Sequence, residues 1–108
     1  MIMTSYKGWI KKQSGTSFLG YIYSTYEQII EIFGNPVSNG DGYKVDIEWI
    51  IDTPHGVATI YNYKNGKAYL GEKGTDVNLI CEWHVGGKTV EPYLWIKKQL
   101  NERLLSLI

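Results

Sequence analysis

From Tyr43 to Trp49 the chain alternates strictly. Tyr43, Val45, Ile47 and Trp49 are apolar or aromatic, Lys44, Asp46 and Glu48 between them are charged, and Ile51 continues the apolar series. A period of two places successive side chains on opposite faces of a strand, so one face of residues 43–51 meets a core and the other meets water. Antiparallel sheets carry this pattern, whereas parallel strands covered on both sides read as unbroken apolar runs. The five residues Asp52, Thr53, Pro54, His55 and Gly56 make a turn. Residues 57–64, rich in Tyr, Ile and Thr, then make a second strand and close a hairpin.

The other elements arrange themselves around this hairpin. Residues 18–23 (FLGYIY) are β-prone, and Gly20 inside them marks a bulge or a close backbone approach. Ser24 followed by Glu27 has the spacing of a capping box. With Ile29, Ile30 and Phe33 forming an apolar face and Gly34-Asn35-Pro36 as a stop, this predicts a helix over 25–33. Asn65-Gly66 is expected to reverse the chain again, followed by a glycine-punctuated loop over 67–76. A third strand is expected over 78–85, with Leu79, Cys81, Trp83 and Val85 inward and Glu82 and His84 outward, ended by Gly86-Gly87. Tyr93, Ile96, Leu100, Leu104 and Leu107 form one helical stripe, so residues 90–105 make the last helix, with Thr89 as its cap. Trp95 and Leu105 lie off that stripe and point to a homo-oligomer. The expected fold is α+β in the order β-α-β-β-β-α: an antiparallel sheet of about four strands with two helices packed on one face. It makes a single domain over 1–108, with residues 1–15 an N-terminal arm or edge strand.

Composition bounds the function. Of the 108 residues 44% are hydrophobic, enough for an ordered core. Four Trp and nine Tyr against two Phe favour half-buried, polar-tipped aromatic surfaces over a dry interior. Eleven basic and eleven acidic groups cancel, and Arg103 is the only arginine, which argues against sequence-specific binding of duplex DNA. A lone Cys81 excludes an intrachain disulfide or thiolate zinc site and fits a cytoplasmic location. No apolar run has the length of a signal peptide or a membrane span, so no membrane partner is expected.

Two segments could carry chemistry. Residues 58–71 combine Tyr61, Tyr63 and Tyr69 with Lys64 and Lys67, and rings beside ammonium groups suit a planar anion such as a nucleotide. The bland alternative is a hairpin with tyrosines paired across strands and lysines keeping it soluble. In the second segment, Trp83 could stack, His84 could meet an anion, and Gly86 and Gly87 could admit a ligand close to the backbone. His84 with Glu82 and His55 falls short of a convincing zinc set, and His84 read plainly is a hydrogen-bonded structural residue. Residues 71–75 lack phosphate-loop spacing, no Gly-x-Ser-x-Gly occurs, and Asp46 with Glu48 reads as a solvated face before it reads as an acid/base pair. The chain is therefore expected to bind without catalysing, and no cofactor is expected.

As a series, the segments TSFLGYI (16–22), FGNP (33–36), KVDIEW (44–49), ATIYNYKNGK (58–67), YLG (69–71) and WHVGG (83–87) resemble small proteins encoded by bacteriophages and prophages. The resemblance covers residues 16–87 and leaves out the C-terminal helix. It implies an accessory factor acting against the bacterial host. The expected function is sequestration of a small nucleotide-derived immune signal without cleavage, with Tyr61, Tyr63, Tyr69, Trp83, Lys64, Lys67, His84, Gly86 and Gly87 as the ligand-binding set. A protein-protein inhibitor of a host defence nuclease, of the anti-CRISPR kind, is the alternative, although neutral charge fits it less well. A structural or replication accessory role is the third.

Overall fold

The predicted hairpin forms, displaced along the chain. The computed structural model describes residues 15–37 and 43–106. In it β1 (Ser17–Tyr23), β2 (Glu48–Thr53), β3 (Gly56–Tyr61) and β4 (Glu82–Gly87) make one sheet in the order β1-β4-β3-β2. All neighbours are antiparallel. Helices α1 (Tyr26–Phe33), α2 (Lys67–Leu70, one turn) and α3 (Val90–Ser106) complete an α+β fold with one more helix than expected. The arm expected over residues 1–15 lies, but for Gly15, outside the described residues.

The sheet packs one face against α1 and α3. Ile22 of β1, Trp49 and Ile51 of β2, Ala58 and Ile60 of β3, and Trp83 and Val85 of β4 are all buried there with Ile29, Phe33, Ile96 and Leu100. The two indoles meet edge to face, 5.3 Å apart between centroids. Each has its N–H satisfied at one end of α1: Trp83 Nε1 donates to Ser24 O at 2.8 Å, and Trp49 Nε1 donates to Gly34 O at 2.9 Å. Buried indoles need such partners, and here they fix the helix at both ends. Trp95 is partly buried and packs towards Phe33, 6.4 Å between rings, while Leu105 is exposed.

Several expectations shift for identifiable reasons. The capping box of α1 is Thr25 with Gln28: Gln28 N donates to Thr25 Oγ1 and Thr25 N donates to Gln28 Oε1. Ser24 precedes the cap: its N–H donates to Cys81 O at the end of the β1–β4 ladder and its hydroxyl donates to Gln28 Oε1. Strand β2 begins at Glu48, not at Tyr43, because the amides of Asp46 and Ile47 donate to the side chain of Asn62. That same side chain, wholly buried, ends β3 at Tyr61. Asn65-Gly66 does not reverse a hairpin; Gly66 caps α2, and a 3-10 turn at Val77–Leu79 delays the last strand to Glu82. Cys81 and Leu79 are consequently exposed. Gly86 and Gly87 do not end β4 but continue its pairing on both sides, with Phe18 and Ser17 of β1 and with Thr59 and Ala58 of β3.

Candidate functional site

The second sheet face carries an aromatic box. Period-two alternation along β3 and β4 puts Tyr61 and His84, which pair across the strands, on the face opposite Ile60 and Val85. Strand β1 supplies two more rings by an irregular route. Its register slips between Phe18 and Gly20, and the extra residue lets Phe18 and Tyr21, three apart, share that face. Gly20 permits this because a Cβ there would stand 2.6 Å from the Tyr93 ring, whose hydroxyl donates to Tyr21 O at 2.8 Å. The expected bulge and the expected close approach are thus one feature.

His84 lies at the centre. Its ring centroid is 5.0 Å from that of Phe18, 4.8 Å from Tyr21, and 5.4 Å from both Tyr61 and Tyr63. These five side chains line a cavity of about 390 Å³, at the small end for ligand sites and suited to one ring system. Burial holds the His84 pKa below its ordinary value, and nearby Glu82 only partly offsets this. The imidazole is therefore neutral at pH 7, with one N–H and one acceptor nitrogen. Its Nδ1 is shut off from solvent and has no hydrogen-bond partner among the described residues. Tyr61 is pushed up, first by burial and then by Glu48, Tyr63 and Tyr21, so its hydroxyl stays a donor.

Beyond Tyr63 the surface continues onto a loop held by a buried polar knot. Asn62 Oδ1 accepts from Asp46 N and Ile47 N, and Asn62 Nδ2 donates to Asp46 Oδ1 and Asn65 Oδ1. Asp46 Oδ2 then accepts from Ala68 N at 3.0 Å, which ties the first turn of α2 to the same centre. Gly66 is required there, since a Cβ would fall 2.1 Å from Asp46 Oδ1. This knot orients Lys64, whose ammonium stands 5.4 Å from the Tyr63 ring centroid and 5.6 Å from that of Tyr69. Tyr69 in turn meets Tyr43 at 5.3 Å.

The residues expected from sequence divide accordingly. Tyr61, Tyr63 and His84 come together, and Lys64 and Tyr69 adjoin them. Trp83 does not: it is fully buried on the opposite face and cannot stack on a ligand. Lys67 is turned to Asp76, at 2.8 Å. Gly86 and Gly87 make no anion nest; they allow close strand packing, a Cβ at Gly86 falling 2.6 Å from Thr59 Oγ1 and one at Gly87 3.0 Å from Leu19 Cδ1. Phe18, Tyr21 and Tyr43 were not expected in the site, and Asp46 serves the knot, not an acid/base pair. Among the described residues no three potential metal ligands cluster, and no helix is long and apolar enough to cross a membrane. No family model matches the chain, and no curated protein or solved structure matches it.

Proposed function

We propose that this chain is a binding protein that takes a nucleotide-like ligand on the aromatic face of its sheet and holds it without cleaving it. One observation carries the reading: four aromatic rings surround a neutral histidine and line an open cavity with it, and an ammonium group stands at the rim. Rings stack on a nucleobase, at about 1–3 kcal/mol per base in single-strand binders. Lys64 supplies the point charge for phosphate. An aromatic box also suits a quaternary ammonium, but the Lys64 ammonium already stands over the shared Tyr63 wall and repels a second cation.

In a cell the same chemistry amounts to sequestration of a nucleotide-derived immune signal in the cytoplasm, the role implied by the phage resemblance. A shallow cavity gains depth if two copies close over it, so homo-oligomerisation belongs to the proposal. The test is calorimetric titration with purine and pyrimidine mononucleotides, alongside native mass spectrometry for stoichiometry and ligand integrity. Saturable binding of an unmodified nucleotide, weakened at least tenfold by Tyr21→Ala and by His84→Ala, is expected. No binding by any nucleotide would replace this reading with a protein partner such as a host defence nuclease. Turnover of the ligand would contradict the claim that it is only held.

A further inference from the structure

Lys64 has a left-handed backbone, φ 59°, and is the only non-glycine residue with positive φ among those described. Lysine gains nothing from that conformation, which glycine or asparagine adopts more cheaply. The loop nevertheless holds it there, through the Lys64 N–H donating to Lys44 O at 2.8 Å and through the Asn62–Asp46 knot on either side of it. The outcome of that arrangement is the position of one ammonium group. It stands between two separate aromatic groups at nearly equal range, the His84 box through Tyr63 and the Tyr43–Tyr69 pair through Tyr69. Strained backbone held in place by its surroundings is found often at functional positions.

Building on the nucleotide reading above, we infer that the ligand carries two nucleobases joined through a phosphodiester. One base enters the box at His84, the linking phosphate meets Lys64, and the second base lies on the exposed surface of Tyr43 and Tyr69. Lys64 stands between the two ring groups and the Lys44 ammonium lies 5.6 Å from the Tyr43 ring centroid, so a phosphate linking the two bases meets positive charge. Two sources share this chemistry, a free dinucleotide and a single-stranded oligonucleotide, and the small box, with room for one ring system, favours the free dinucleotide.

The experiment is calorimetric titration of the full chain with adenosine monophosphate, linear and cyclic diadenylate, and a ten-nucleotide oligoadenylate. It is repeated with Tyr69→Ala and Lys64→Gly, whose folding is checked by circular dichroism and thermal midpoint. Diadenylate is expected to bind at least tenfold more tightly than the monophosphate. Tyr69→Ala should abolish that advantage, and Lys64→Gly should weaken both ligands. Oligoadenylate binding more tightly than diadenylate would keep the two-base chemistry and assign its source to a strand. Equal affinity for one base and two would overturn the two-base inference and leave the single-nucleotide reading standing. Absence of binding by every probe would overturn both.

Discussion

The two faces of this sheet use the same residue types to opposite ends. On the helix-covered face Trp49 and Trp83 are wholly buried, cross edge to face, and have both N–H groups bonded to backbone carbonyls. On the other face Phe18, Tyr21, Tyr61 and Tyr63 stand around His84, three of the four rings are more than a third exposed, and a buried nitrogen goes unpaired. The first set stabilises the fold, because every polar atom is satisfied and every apolar surface is covered. The second leaves apolar area for something else to cover. Surface aromatic residues gathered into one patch are a mark of interaction sites, whereas buried ones are not.

The largest effect that separates the faces is stability. Trp83→Ala should cost about 3–5 kcal/mol in denaturant unfolding, the usual range for truncating a core indole, while Tyr21→Ala should cost under about 1 kcal/mol. Equal losses would erase the distinction between the two faces. Next comes the polar knot behind the loop. Asn62→Ala leaves the amides of Asp46 and Ile47 without their acceptor and should cost about 2 kcal/mol. It should also weaken ligand binding, because Lys64 and Tyr69 lose their anchorage; unchanged binding would show that the knot does not position them.

Titration of His84 gives a smaller effect with a definite sign. Its pKa in the fold lies below the ordinary 6.5, so the unfolded chain takes up the proton first. The contribution to stability is complete above about pH 6.5 and falls as pH drops below that value towards the folded pKa. Thermal midpoints measured through that window should show a decline that His84→Gln reduces; an identical decline in the variant would assign it to other groups. The smallest effect is at Lys64. Relief of the left-handed backbone should make Lys64→Gly neutral or stabilising by up to about 1 kcal/mol, in spite of its loss of binding. A clear destabilisation would mean that the lysine is there for the fold.

The helix-covered face was legible in the sequence because periodicity reports burial. The odd positions Trp49 and Ile51, the stripe Ile96 and Leu100, and the strand-loop punctuation by Pro54 and Gly56 led to the sheet, the hairpin and both long helices. The limits of β2 and β3 were not legible, since one buried side chain, Asn62, takes amides that the ladder would otherwise use. The box was half legible. Tyr61, Tyr63 and His84 follow from local clustering, but Phe18 and Tyr21 join only through the register slip at Gly20, which strict alternation would place on opposite faces. Trp83 was misread for the same reason in reverse: it neighbours His84 in sequence, and neighbours on a strand face opposite ways.

The most direct test of the account is a map of ligand contact on backbone amide resonances during titration with diadenylate. Shifts are expected to concentrate at Phe18, Tyr21, Tyr61, Tyr63, His84 and Lys64, with Ile29, Phe33 and Ile96 unmoved. Shifts centred on α1 and α3, or none at saturating nucleotide, would contradict the assignment of the aromatic face as the binding surface.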